Sequence, residues 1–330
     1  MMNAVIILTC VIMSQDIRGN FMVQNLIIVS EQVAILFILI ALGFACGKIK
    51  IIKSSSAKVL TDLVLYFATP CIMIKSFQEV KYDPSLVLNL AVTALCAVLI
   101  ITGSIVIVRL IFRDKDENRK VVLRFASVFS NCGFMSLPLQ QAVLGSKGVF
   151  YGAVFVAVFN VIVWSYGLIE MSGGKKAFSA KKLILNPGVI GAVAATVLFV
   201  ARVDLPNIIL SPISYIAALN TPIPMLVIGY HLSQTKIKKH LTDPAVYAVT
   251  AVRLVAIPIA ALFLMKLCGV ESNILIACTV ASSAPVAAMT TMFSTKFDRD
   301  TQLSVGLVSI TTLVSIITMP VIIALAQTIV

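Results

Sequence analysis

The chain has 330 residues, of which 59% are hydrophobic and only 12% are charged, with a mean hydropathy of +1.03. Soluble domains typically carry ~25% charged residues, so this composition excludes a soluble globular protein and predicts an all-α integral membrane protein. The net charge of +12 would suit a nucleic-acid partner, but the cations lie in alternate loops, so we expect no nucleic acid.

Ten apolar runs are long enough to cross about 30 Å of hydrocarbon, and we predict that each is a membrane-spanning helix. Numbered as spans 1 to 10, they are 23–48, 59–78, 85–112, 121–144, 147–170, 183–201, 207–232, 244–267, 272–294 and 302–328. The short connections leave no room for a soluble domain. Residues 1–21 contain one apolar run that is too short to span and lacks the basic flank of a signal peptide, so we predict an N-terminal extension without an assigned role.

The basic residues predict the orientation of the spans. Nineteen of the 26 lysines and arginines lie in the odd-numbered loops. Because lysine and arginine are retained on the cytoplasmic side, we expect a multi-pass protein of the cell membrane with both termini outside the cytoplasm.

Two short segments suggest an internal repeat. Span 2 contains "YFATPCIMI" with Thr69 and Pro70, and span 7 contains "ALNTPIPML" with Thr221 and Pro222, 152 residues later. Five spans separate the two segments, so the second copy would be inverted, as in many secondary transporters. We therefore predict a 5+5 inverted repeat with Pro70 and Pro222 as hinge or scaffold positions. Its parts are a first repeat at 22–171, a cytoplasmic linker at 172–182 and a second repeat at 183–330.

Spans 4 and 9 contain residues that weaken a helix. "SNCGFMSLPLQQ" places Pro138 near the middle of span 4, and "CTVASSAPVAAMTTMF" places Ser282, Ser283 and Pro285 in span 9. A broken span is tolerated only where protein or water covers its freed backbone groups, so we predict two broken helices whose breaks face each other across a cavity near the midplane. Their N–H groups and positive dipole ends would favour an anion. The alternative is that glycine and proline are simply commoner in membrane helices, where small residues serve close packing.

Two ionisable side chains stand out. Arg253 lies about ten residues from either end of span 8, where a charge costs at least ~2.5–3.5 kcal/mol. It is either a counter-ion for an anionic substrate or a structural partner of carbonyl or carboxylate groups. Asp62 would carry a coupling proton if its environment changed, or it is a solvated aspartate at a helix start.

The chain lacks the residues of an intramembrane enzyme or an ATP-driven pump. No nucleophile with a base, metal triad, carboxylate pair or phosphate-binding loop followed by Lys-Ser/Thr occurs in the spans. We therefore expect no enzyme activity, cofactor or metal site, and transport driven by gradients, with H⁺ or Na⁺ as candidate coupling ions. The seven scattered cysteines are interpreted as small buried hydrophobes.

The stretch Ala126 to Gly167, "ASVFSNCGFMSLPLQQAVLGSKGVFYGAVFVAVFNVIVWSYG", resembles spans 4 and 5 of the auxin efflux carrier family, which includes bacterial permeases and plant PIN proteins. "NPGVIGAVAA", "TPIPMLVIGYHL" and "VRLVAIPIAA" are similar to its spans 6 to 8. The resemblance, over roughly 23–328, implies ten spans in a 5+5 inverted repeat, with a scaffold domain and a transport domain whose fourth and ninth helices cross at their breaks. It also implies an organic anion as substrate.

The resemblance assigns residues as well. Asn131 matches the substrate-contacting asparagine of the family, although Ser130 replaces the preceding proline, and Pro285 matches the crossing proline. Val286 stands where a polar amide is usual in plants, which makes a smaller carboxylate a better fit than auxin. The predicted substrate site consists of Ser130, Asn131, Gly133, Ser282, Ser283 and Arg253, with Pro138 and Pro285 at the breaks.

The function predicted from these observations is alternating-access transport or facilitation of a small organic anion. One alternative is a sodium-coupled symporter of the bile acid type, which also has crossed broken helices. A non-transporting membrane sensor is an alternative of another class. We also consider a homodimer.

Overall fold

The computed structural model describes residues 27, 29–174, 179–235 and 240–330. Within these ranges the chain is helical apart from its connections and one isolated β-bridge. The prediction of an all-α membrane protein is therefore confirmed. The predicted extension 1–21 lies outside the described residues, as do residues 175–178 of the predicted linker 172–182.

Helices occur in all ten predicted spans. They are α1 Val29–Lys48, α2 Ser54–Glu79, α3 Pro84–Ile111, α4 Glu117–Val128, α5 Leu137–Leu144, α6 Ser146–Ser172, α7 Ala180–Ile184, α8 Pro187–Val200, α9 Asn207–Ala218, α10 Pro222–Gln234, α11 Pro244–Leu267, α12 Ser272–Ser283, α13 Met289–Lys296 and α14 Thr301–Ile329. Seven helical stretches of the described chain are long and apolar enough to cross a membrane, with α9 and α10 counted together. Spans 4, 6 and 9 consist of shorter helices, so ten crossings and the inverted repeat stay predictions.

Four helices that begin on the predicted cytoplasmic side have a side chain at their N-terminus that accepts hydrogen bonds from free backbone N–H groups. The capping residues are Asp116 for α4, Asn186 for α8, Asp243 for α11 and Asp300 for α14. These polar caps mark the points where the chain enters its apolar segments, because the first N–H groups of a helix have no intrahelical acceptor.

Three prolines within the spans are accommodated without a break. Each follows a widened, π-helical turn that ends two residues earlier: Val64–Ala68 before Pro70, Cys132–Ser136 before Pro138, and Val252–Ala256 before Pro258. A proline ring clashes with the carbonyl four residues before it and lacks an N–H donor. The wider turn gives the ring space and takes up the changed hydrogen bonding. The helix therefore continues through each proline.

The helices pack as two units. Helices α1, α2 and α8 to α10 form one, called here the four-span unit, and α3 to α6 with α11 to α14 form the other, the six-span unit. In the four-span unit α1 and α10 approach closely at Gly43 and Gly229: a Cβ on Gly229 would lie 2.0 Å from the Ile40 carbonyl oxygen. The Thr69 hydroxyl donates to the Asn220 side-chain oxygen at 3.0 Å, which ties α2 to the turn before α10.

The two units meet along α2, α6 and α8. Phe77, Phe150 and Phe199 form a ring cluster there, with Phe77 and Phe150 centroids 4.3 Å apart. An apolar crevice of about 310 Å³ lies between α3, α6 and α8. The chain passes from α2 to α3 through only the four residues 80–83, and Tyr82 in this link packs on Phe199.

Candidate functional site

The interruptions of spans 4 and 9 meet inside the six-span unit. Helix α4 ends at Val128 and the chain runs extended to Asn131, while α12 ends at Ser283 and α13 begins at Met289. Ser130 and Val286 pair as an antiparallel β-bridge. Two backbone hydrogen bonds close it, from Asn131 N–H to the Pro285 oxygen at 2.7 Å and from Ala287 N–H to the Phe129 oxygen at 2.9 Å. Each interruption thus satisfies the freed backbone groups of the other.

The two predicted break prolines differ in position. Pro285 lies in the interruption of span 9. The expectation that Pro138 breaks span 4 is wrong: the helix is interrupted at residues 129–131, and Pro138 lies in the first turn of α5. The physical reason is the π-helical turn Cys132–Ser136, which accommodates the ring of Pro138.

Arg253 of α11 lies beside both interruptions. Its side chain is 2% exposed, and its guanidinium donates to the Val128 oxygen at 2.8 Å, to the Ser127 oxygen at 3.4 Å and to the Ser282 oxygen. These carbonyls belong to the last turns of α4 and α12. Of the two interpretations of Arg253 from the sequence, its contacts correspond to the structural pairing with carbonyls.

The side chain of Asn131 places an amide without a hydrogen-bond partner at the interruption. The residue is 7% exposed, and among the described residues its side chain has no hydrogen-bond partner. Next to it, Gly133 borders open space, because a Cβ there would meet only Val156 Cγ1, at 3.9 Å. An uncommitted amide beside unfilled space can bind an oxygen-rich ligand.

The predicted serines are already engaged. The Ser130 hydroxyl donates to the Ala281 oxygen at 2.9 Å, and Ser282 and Ser283 donate to carbonyls three residues earlier in α12. All three side chains are buried. Their hydroxyl protons are therefore committed to the backbone, and only their lone pairs remain.

Four helix ends converge here, and their polarity differs. The C-terminal ends of α4 and α12 are buried and receive the Arg253 guanidinium. The second half of span 4 begins at the buried Cys132 and continues through the half-buried Gly133 and Phe134, and that of span 9 begins at the half-buried Ala288 and Met289. Helix N-termini carry partial positive charge and C-termini partial negative charge. The reachable side of the site is therefore the positive one.

Two polar residues near the site were missed by the sequence interpretation. Gln140 of α5 is fully buried and donates to the Ala277 oxygen of α12 at 2.8 Å, while its own Oε1 has no partner. The Thr311 hydroxyl of α14 accepts from Val286 N–H at 3.2 Å and supports the β-bridge. The signal for Gln140 was available, since an amide within an apolar span requires a partner.

The remaining predicted positions lie in the four-span unit. Pro70 packs against Gly191 of α8, where a Cβ would approach its Cα to 2.7 Å, and Pro222 lies in the first turn of α10. Asp62 is exposed on α2. None of the three belongs to the meeting point of the interruptions. In the described part of the chain no cluster of three His, Cys, Asp or Glu side chains could hold a metal.

Comparisons with known proteins cover most of the chain. The sequence model of the family described as "Membrane transport protein" matches residues 28–181 and 175–323. An uncharacterised transporter of Methanocaldococcus jannaschii is 25% identical over 303 residues, which cover 87% of this chain and 95% of the relative. An uncharacterised transporter of Methanothermobacter thermautotrophicus is 21% identical over 299 residues, or 88% of this chain and 96% of the relative.

Proposed function

This chain belongs to the auxin efflux carrier family of membrane transport proteins, and from that premise we propose that it carries a small organic anion by alternating access. The family makes the chain a multi-pass membrane transporter and not an enzyme. The proposal covers the substrate class, the mechanism, the cell membrane as the location and the placement of both termini outside the cytoplasm.

The observation that carries the proposal is the unpaired amide of Asn131 at the paired interruptions. A carboxylate placed beside Gly133 would accept a hydrogen bond from this amide and from N–H groups at the start of the π-helical turn Cys132–Ser136. Hydrogen bonds to a charged group contribute about 1.5–3 kcal/mol each. The partial positive charge of the helix N-termini favours the same ligand.

The arrangement of the two units supports alternating access. The whole site lies in the six-span unit, and the apolar crevice between α3, α6 and α8 leaves space for that unit to shift against the four-span unit. In this proposal the four-span unit is the scaffold and the six-span unit is the transport domain. The proposal includes two repeats at 22–171 and 183–330, joined by the cytoplasmic linker 172–182.

The test uses the purified full-length protein in liposomes and a panel of labelled mono- and dicarboxylates, with and without pH and sodium gradients. Asn131→Ala is expected to weaken apparent affinity roughly 10- to 100-fold, the equivalent of one hydrogen bond to a charged group. The matched control is Asn207→Ala, which changes an exposed asparagine at the start of α9. Unchanged uptake by Asn131→Ala would remove this residue from the site.

The same assay addresses the alternatives. Uptake that requires a sodium gradient would favour the sodium-coupled symporter, and no uptake of any carboxylate would favour a sensor or another substrate class. Asp62→Asn tests the proposed proton coupling, because a coupling role requires that the response to a pH gradient be lost while exchange without a gradient continues.

A further inference from the structure

We propose that Arg253 determines the charge of the substrate, so that the site takes an anion with a single net negative charge. Arg253 would act without touching the ligand, through the electrostatic balance of the four helix ends. This inference rests on the proposed function and deepens it. It concerns the charge of the ligand rather than its identity.

Arg253 is a buried cation that has no acidic partner in the described part of the chain. Its side chain is 2% exposed, its three acceptors are backbone carbonyls, and its Nε has no partner. No ion pair found among the described residues includes it. The acidic residues of the six-span unit lie in loops or within three residues of a helix end: Asp83, Asp114, Asp116, Glu117, Glu170, Asp243, Glu271, Asp298 and Asp300.

The charges of the four helix ends set the electrostatic balance of the site. A helix end carries about half an elementary charge, positive at the N-terminus and negative at the C-terminus. The C-terminal ends of α4 and α12 together balance the single charge of Arg253, which binds both. The two N-terminal ends, at Cys132 and Met289, then leave the site with about one unit of positive charge.

This balance favours a ligand with one negative charge. A monoanion beside Asn131 would bring the buried site close to neutrality, whereas a dianion would leave an uncompensated negative charge, which is costly away from water. Without Arg253 the two C-terminal ends would be uncompensated, and their negative charge would oppose any anion. Replacement of Arg253 should therefore change selectivity between charged and neutral ligands as well as affinity.

A merely structural role of Arg253 makes a different prediction. If the hydrogen bonds of Arg253 only hold the interruptions together, loss of Arg253 would weaken the binding of an anion and of a neutral analogue of the same shape by the same factor. The informative quantity is therefore the ratio of the two affinities. Total activity does not separate the two roles.

The experiment compares the wild type, Arg253→Met and Arg253→Lys as purified full-length protein, by direct binding and by uptake into liposomes. The probes are phenylacetate, its neutral amide phenylacetamide, and the dianion malonate, together with any monocarboxylate transported in the panel above and its amide. The interaction between two unit charges about 6 Å apart, at an effective dielectric constant near 20, changes a binding constant by roughly a hundredfold. We expect Arg253→Met to lower the carboxylate-to-amide ratio by about that factor, and Arg253→Lys to retain most of it.

The outcomes separate this inference from the proposed function. If Arg253→Met transports carboxylates and its ratio of carboxylate to amide affinity is unchanged, the role of Arg253 is overturned and the carrier function stands. A wild-type preference for dianions would have the same consequence. Absence of carboxylate binding and uptake would overturn the proposed function and this inference with it. Should Arg253→Met fail to fold, the wild-type preference between phenylacetate and malonate decides.

Discussion

The contact between α1 and α10 gives a quantitative test of how the four-span unit is held together. Gly43 and Gly229 face the backbone of the opposite helix: a Cβ on Gly43 would lie 2.2 Å from the Leu226 oxygen, and one on Gly229 would lie 2.0 Å from the Ile40 oxygen. Ordinary van der Waals contact begins near 3.4 Å. The obstructing atoms are backbone, so Gly229→Ala requires the helices to separate by more than about 1 Å.

The expected magnitude follows from two opposing effects. Forcing extra volume into a packed interface costs typically about 1–3 kcal/mol. Alanine in place of glycine within a helix stabilises by roughly 0.5–1 kcal/mol. Gly103→Ala in α3 isolates the second effect, because a Cβ at Gly103 would meet no atom within 4 Å. We expect Gly229→Ala to be less stable than Gly103→Ala by the full packing cost of about 1–3 kcal/mol.

The assay is thermal or denaturant unfolding of the purified protein in one detergent, followed by loss of folded monomer. The glycine contact is reciprocal, so Gly43→Ala should resemble Gly229→Ala. Equal stability of Gly229→Ala and Gly103→Ala would refute the argument that close backbone approach joins these helices.

Two further predictions concern contacts in the six-span unit. A Cβ on Gly152 would lie 1.9 Å from Gln140 Oε1, so Gly152→Ala should displace the Gln140 amide from the Ala277 carbonyl and lower stability. In a double-mutant cycle Gln140→Ala should relieve much of this loss of stability, and additive effects of the two substitutions would contradict the argument. Arg119 forms a two-fold hydrogen bond with Asp243 at 2.7 Å: burial raises the pKa of the Asp243 carboxyl, but hydrogen bonds from Arg119 and from a backbone N–H outweigh burial and lower it. The stabilisation is therefore present above the pKa of the unfolded chain and is lost as pH falls through the lowered pKa of the folded protein, which lies below the usual 3.8. Arg119→Gln should accordingly lower stability at pH 7, and its difference from the wild type should shrink as pH falls below about 4 toward that lowered pKa. A difference that stays constant over this range would refute the argument.

Much of the fold could be predicted from the sequence because the hydrocarbon imposes a long apolar run on every span. The end of α3 illustrates this: the prediction of 85–112 compares with Pro84–Ile111 in the structure. The interruptions of spans 4 and 9 depend on pairing between these two spans inside the six-span unit, which apolar periodicity does not encode. Span 6 was predicted as 183–201, yet α8 covers only Pro187–Val200.

The site was predicted less completely, and proline explains part of the difference. The prediction that Pro138 breaks span 4 did not allow for a π-helical turn before the proline, which only the surrounding helices can stabilise. The actual interruption at residues 129–131 depends on pairing with residues some 150 positions later, and no local pattern contains that partner. Arg253 could be flagged from its position within an apolar span, but its choice of carbonyl acceptors follows from the tertiary structure.

The four-residue link between α2 and α3 limits how the two units can move. An extended chain covers at most about 3.6 Å per residue, so this tether keeps the end of α2 and the start of α3 near each other throughout any transport cycle. Tyr82 shortens its effective reach further, because its ring is held between Phe199 and the Arg202 guanidinium, 4.2 Å away. Displacement should accordingly resemble a swing about this corner, with the greatest travel at the opposite face of the membrane.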